Sequence, residues 1–280
     1  MTEQFCGILS SDMKAKTYGI IAVVVLVIAA VGVLAGTHRA QAPAAPAGGV
    51  ATTTAATATT TDAVATSTST SAEAAVYTGP FPINPADTIA SWSFKGAYTG
   101  NATLVAQANA DIAHLTSLLG TGKYDDYDLY NGIGNDYNLL GDGQTAYRYY
   151  DKAAAVHPGK GLVYTNLGHL FDELGAYYTA ADAYAKAVHV EPSVLEYHVM
   201  RLTFLTARLP KDNAAILAAL SDASKQFGDT PAILSIEAEW LEGQGRYADA
   251  IKAWQTVKML SPADRQASIQ TQIERDQAKL

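Results

Sequence analysis

The sequence predicts an all-α chain built from a repeated helical hairpin. Three observations predict it: an internal period of 34 residues, large residues at helical spacing within each period, and Gly or Pro at the helix ends. Residues 127–160 and 161–194 align without a gap. They pair Tyr130 with Tyr164, Ile133 with Leu167, Gly134 with Gly168, Tyr137 with Phe171, Leu140 with Leu174, Gly141 with Gly175, Ala146 with Ala180, Tyr150 with Tyr184, Ala153 with Ala187, Val156 with Val190 and Pro158 with Pro192.

In each unit the first helix carries Tyr130, Ile133 and Tyr137 on one face, and the second carries Ala146, Tyr150 and Ala153. A glycine inside a helix costs about 1 kcal/mol against alanine. Gly134 and Gly168 therefore predict a place where the second helix comes too close for a Cβ. Gly141 and Gly175 suit a left-handed helix end, and Pro158 and Pro192 stop the second helix. A lone hairpin leaves an apolar face open, so stability requires stacked neighbours.

Residues 195–230 form a degenerate third unit, with Arg201, Leu202 and Leu205 where the second unit has Leu167, Gly168 and Phe171. Pro192–Ser193 followed by Glu196 reads as its capping box, and Pro210 replaces Gly at the helix junction. Residues 231–264 recover the second half of the pattern through Gly245, Tyr247, Ala250, Trp254 and Pro262, while Glu237 and Ala238 replace Leu167 and Gly168. Thr230–Pro231 and Ser261–Pro262 each read as an N-cap followed by Pro at the first helical position. Residues 262–280 read as a polar capping helix. Residues 87–122 read as an N-terminal capping region, whose helix carries Leu104, Ala108, Ile112, Leu115 and Leu119. Trp92 and Phe94 are expected to pack on that helix.

The 34-residue pattern resembles the tetratricopeptide repeat over about half of the chain. The resemblance implies a right-handed superhelical solenoid in which the first helices line a concave groove that binds another protein chain. Carried over residue by residue, the groove is Asp128, Asn131, Asn135 and Asn138 from the first unit, and Thr165, Asn166, His169 and Asp172 from the second. The degenerate units add Val199, Thr203, Ser235, Glu239 and Glu242. Asn is a poor choice for a helix interior, so three along one helix face call for a reason beyond propensity. Its amide can donate to and accept from the backbone of an extended peptide. Val199 and Thr203 stand where capture of a C-terminal carboxylate would call for Lys or Arg, so the expected partner segment is neutral or basic. Self-association through the ends of the stack or through the chain's own linker is the second expectation.

Residues 18–36 form a 19-residue apolar run without a charge. As a helix it is about 28 Å long, enough to span a bilayer. That length fits an uncleaved signal anchor better than a cleaved signal, whose apolar core is about 7–15 residues. Lys14 and Lys16 precede the run and Arg39 follows it, which favours a cytoplasmic N-terminus with the repeats extracytoplasmic. Residues 1–17 are then a short tail, and a start at Met13 would give a compact basic lead into the run. Residues 37–86 are rich in Ala, Thr, Ser and Pro and read as a disordered linker, with a mean reach of about 35 Å as a flexible coil. The general resemblance is to membrane-anchored bacterial envelope proteins with a tetratricopeptide domain. It implies a scaffold in envelope assembly, secretion or surface-appendage biogenesis, or a non-catalytic regulatory subunit of an envelope enzyme.

Composition narrows the partner. Residues 87–280 carry 16 Lys and Arg against 23 Asp and Glu, a net charge of −7, which argues against nucleic acid. The single cysteine, Cys6, lies before the apolar run, so the repeats hold neither a disulfide nor a thiolate metal site. Asp125, Asp126 and Asp128 do not make a calcium loop: counting from Asp126 puts Asn131 at the glycine position and Tyr137 where a bidentate Glu is required. They are expected to cap and solvate a helix start. His157 and His189 are expected to interact with helix C-termini. Neither a zinc-protease histidine pair nor a Gly-x-Ser-x-Gly elbow occurs, so neither catalysis nor a cofactor is expected.

Overall fold

The computed structural model describes residues 80–280. The apolar run 18–36 and residues 37–79 lie outside the described residues. Within them the chain forms ten helices: α1 Ala102–Leu118, α2 Asp126–Leu140, α3 Gly143–Val156, α4 Gly161–Glu173, α5 Tyr177–Val190, α6 Leu195–Arg208, α7 Asn213–Phe227, α8 Pro231–Gly243, α9 Tyr247–Leu260 and α10 Ala263–Gln277. Short junctions make four hairpins, α2–α3, α4–α5, α6–α7 and α8–α9, with α1 against α2 at one end and α10 against α9 at the other.

The first helices of successive hairpins touch, α2 with α4, α4 with α6 and α6 with α8, whereas the second helices make no comparable contact with one another. Helices that crowd on one side of a stack and part on the other curve it, so the first helices line the concave side. One core runs through the array, from Tyr127 and Tyr150 through Leu167, Phe171 and Tyr184 to Leu202, Ile216, Trp254 and Ile273.

The two helical glycines set how tightly each hairpin closes. A Cβ on Gly134 would lie 2.6 Å from the Tyr150 ring, and one on Gly168 would lie 2.8 Å from the Tyr184 ring. Both tyrosines are buried, and burying so large a side chain contributes about 1.5–3 kcal/mol. Each glycine thus trades about 1 kcal/mol of helix propensity for a larger gain in packing. Side-chain oxygens hold several helix starts: Asp125 accepts from the Tyr127 N–H at 3.0 Å, Asp142 from Thr145 at 3.1 Å, Asp212 from Ala215 at 3.0 Å and Thr230 from Ile233 at 3.3 Å.

Two expected caps are not made. The start of α6 has no side-chain cap from Ser193. His198 Nε2 donates to the Pro192 carbonyl at 3.0 Å, the same six-residue contact that the Tyr164 hydroxyl makes with Pro158 at 3.0 Å. With the turn closed in that way, the helix begins at Leu195 behind Val194. At the other junction α10 starts at Ala263, one residue later than expected, and Pro262 occupies the cap position. The Ser261 carbonyl there accepts from the Gln266 amide at 3.0 Å.

An extended strap, residues 80–99, precedes α1 and departs from expectation in two ways. Trp92 and Phe94 pack at the α2–α3 turn. Backbone bonds from Phe94 N–H to Gly141 O (3.1 Å), Gly143 N–H to Trp92 O (2.9 Å) and Tyr98 N–H to Leu139 O (3.0 Å) pair the strap with the α2–α3 turn. That pairing carries the Trp92 ring to 5.3 Å from Tyr147 and 6.5 Å from Phe171. The backbone approach leaves no space for a Cβ at Gly96, beside Leu139 O. Residues 80–86, expected as linker, are also built into the array. The Phe81 ring sits 6.1 Å from Tyr164 and 6.2 Å from Phe171, and its carbonyl accepts from the Tyr147 hydroxyl at 2.8 Å. Asp87 then caps α5, whose own N-cap residue, Ala176, has no side-chain oxygen. Its Oδ2 accepts from the Thr179 N–H at 2.6 Å and the Thr179 hydroxyl at 2.7 Å.

Two outcomes follow for stability, both read from urea unfolding midpoints. Gly168→Ala is expected to destabilise by about 1–3 kcal/mol, because the clash with Tyr184 outweighs the gain in helix propensity. Asp87→Ala is expected to cost about 0.5–2 kcal/mol through the lost cap of a helix some 90 residues away in sequence. A midpoint unchanged in either variant contradicts the corresponding contact.

Candidate functional site

The concave side is built from one face of each first helix, so its side chains recur once per unit. The first two units bring Asn131 and Asn166 together directly: the Asn166 Nδ2 donates to the Asn131 Oδ1 at 3.1 Å across the α2–α4 contact. Asn131 is only 4% exposed, and its Nδ2 is directed at the buried Tyr127 hydroxyl one turn back on α2. Two turns further along α2, the buried Oδ1 of Asn138 has no hydrogen-bond partner among the described residues. Asn135 lies between them, exposed, and its Oδ1 accepts from the Tyr150 hydroxyl at 2.8 Å. The glycine-seated tyrosine of the hairpin core thus fixes a groove amide.

The remaining positions divide. Asp128 is exposed in the first turn of α2. Thr165 is buried, and its hydroxyl donates to the Leu162 carbonyl at 2.8 Å within its own helix, so it shapes α4 and is withdrawn from the surface. His169 lies edge-on to Tyr184 with ring centroids 5.7 Å apart. Burial lowers its pKa, opposed by the nearby Asp172, so the imidazole is neutral at pH 7. Asp172 receives two bonds from Arg208, at 2.7 and 3.2 Å. The Arg208 guanidinium also lies 5.5 Å over the Tyr177 ring.

Arg208 escapes the repeat pattern because it reaches the strip from the last turn of α6, two places beyond the position aligned with Asp172. Its charge offsets the acid that sequence alone assigns to the groove. Glu242 is likewise drawn away: it accepts from the Trp254 indole at 2.6 Å and the Gln272 amide at 3.0 Å, within the contact of α8, α9 and α10. Val199, Thr203 and Ser235 are half-buried along the same side. The strip over α2 and α4 is therefore amide-rich, with a neutral imidazole and a compensated ion pair.

The acids before α2 take structural roles. Asp125 caps the helix and pairs with His157 Nε2 at 2.9 Å and Lys160 at 3.6 Å, and Asp126 accepts from the Gly120 N–H at 3.0 Å. Among the described residues no group of three or more His, Cys, Asp or Glu could hold a metal ion. No described helix is long and apolar enough to cross a membrane.

No protein-family model and no curated protein sequence matches the chain. Solved structures are similar at low identity. MamA has a TM-score of 0.45 and 13% identity, covering 62% of this chain and 93% of that chain. TTC0263, a tetratricopeptide protein of Thermus thermophilus, has a TM-score of 0.43 and 19% identity over 63% and 93%. The TPR2AB domain of yeast Sti1, in a complex with pHSP90, has a TM-score of 0.36 and 17% identity over 62% and 79%. The tetratricopeptide-type array is assigned on the chain's own features: the 34-residue period, the paired Gly–Tyr contacts and the row of touching first helices.

Proposed function

We propose that the chain is a non-catalytic scaffold that gathers a partner protein at a membrane surface and holds an extended peptide segment of it along the amide strip of α2 and α4. The observation that carries this reading is the amide row of α2 and α4: Asn135 is exposed, and beside it Asn166 bonds Asn131 across the helix contact. With its Oδ1 held by the Tyr150 hydroxyl, Asn135 keeps its amide N–H groups to donate to a peptide carbonyl and asks little of the peptide's side chains. With Asp172 compensated by Arg208, Asp128 remains to favour a neutral or basic segment over an acidic one.

In the same reading residues 18–36 anchor the chain in the membrane, residues 37–79 are a tether, and the repeats face the extracytoplasmic side. The processes that fit are envelope assembly, secretion or surface-appendage biogenesis.

The test is differential capture from detergent-solubilised membranes with the full-length chain as bait. A partner held by the strip is retained by Arg148→Ala, on the second helix of the first hairpin, and lost with the double variant Asn135→Ala/Asn166→Ala, expected to weaken binding about tenfold or more. Equal capture by both variants contradicts the groove. Protease shaving of intact cells that leaves the repeats uncut contradicts the orientation.

A further inference from the structure

The strap marks a binding notch, and an open counterpart of it lies two units further along the array. Phe81 rests on Tyr147, Tyr164 and Phe171, while the Asn84 side-chain amide donates to Asp182 at 2.8 Å and its N–H donates to the Thr179 hydroxyl at 3.0 Å. Two periods plus the two extra residues of the third unit place the equivalent positions 70 residues on: Leu217, Leu234, Leu241, Lys252 and Asp249. These five residues line an open notch of about 350 Å³ between α7, α8 and α9, within the size range of ligand clefts. Its rim is uncovered at Leu217, which is 52% exposed, over a buried floor of Leu234, Trp240 and Leu241, whereas Tyr147 lies beneath Phe81 and Trp92.

We propose that this second notch binds, from a partner protein, the counterpart of residues 81–84: an extended segment with an aromatic side chain followed three residues later by an acidic one in place of Asn84. The strap shows the mode. Pro80, Pro82 and Pro85 hold it extended before it docks, which lowers the entropy cost of ordering it. Three leucines stand in place of two tyrosines and a phenylalanine, and Trp240 in place of Leu170 adds an aromatic surface to the lining, so the notch suits an aromatic side chain laid over Leu217. Glu237, at the place of buried Leu167, puts a carboxyl group into its lining, which can accept from an indole N–H and so selects tryptophan. Lys252 replaces Asp182, which reverses the polarity at the position that meets Asn84 and so calls for a carboxylate. Lys252 now pairs with Asp249 at 3.1 Å, an exposed contact, and Asp249 keeps Arg246 at 2.7 Å when Lys252 turns to another carboxylate.

The probe is a labelled peptide of strap residues 80–89 carrying Phe81→Trp and Asn84→Glu, titrated by fluorescence anisotropy against the full-length chain. Saturable binding below about 1 mM is expected, weakened about tenfold or more by Leu217→Glu and by Lys252→Glu. With Lys252→Glu, replacing the peptide's new glutamate by lysine is expected to restore affinity, which also shows that the variant is folded. A photoreactive ring at the tryptophan position is expected to cross-link to α7 and α8. Absence of saturable binding up to that concentration overturns the proposal. So does binding that neither variant changes, failure of the charge swap to restore affinity, or cross-links that fall on Tyr147 and Phe171 or on the α2–α4 strip.

Discussion

The closeness of two helices at a position without a Cβ governs this architecture. Gly134 and Gly168 let Tyr150 and Tyr184 lie flat on the first helix of each hairpin, inside the distance that any side chain would impose. The contact fixes the angle of each hairpin and the face it offers to the next. It reaches the surface as well: the buried Tyr150 ring ends in a hydroxyl that positions Asn135, and Tyr184 backs the ring of His169. Core packing and groove geometry are thus two sides of the same two tyrosines. The third and fourth units lack the glycine, and their groove-side positions carry no comparable row of amides.

A stack of hairpins exposes an apolar face at each end and unpaired N–H groups at each helix start. This chain meets the second problem with a side-chain oxygen from the N-cap residue at five of the ten described helices, and at α4 and α5 with oxygens from Glu191 and Asp87, distant in sequence. Asp87 supplies what Ala176 cannot, and the strap that delivers it covers Tyr147 and Phe171 on the way. The result is a long-range closure in which hairpins one and two are held by a segment that belongs to neither. The same surface two units on has leucines, an acid and a lysine in place of the strap's partners, and its rim at Leu217 lies open to another chain.

The hairpins were legible because their signals are local and repeated: aromatic, glycine and alanine positions recur at a fixed period, and glycine or proline marks each end. Even the degenerate third unit was legible as a helix pair, since its apolar spacing survives the loss of Gly168's equivalent. The strap was not, because its few apolar residues alternate with prolines and its partners lie some 60 to 90 residues away in sequence. Within the site, the pattern located Asn131 and Thr165 on the right helices but could not show that contact between α2 and α4 buries one and that the other spends its hydroxyl on its own helix. Arg208 was missed for a related reason: it meets Asp172 across a unit boundary, from two places beyond the residue that the period aligns with Asp172.

The strap and the glycine-seated hairpins form one cooperative body, most tightly closed at the second hairpin. Amide hydrogen exchange of the full-length chain, read by mass spectrometry, probes that cooperativity residue by residue. The slowest exchange is expected in α4 and α5, with the strap amides of Phe94 and Tyr98 protected alongside them by their bonds to Gly141 and Leu139. Exchange of those strap amides at the rate of a free peptide while α4 and α5 stay protected would contradict that cooperativity.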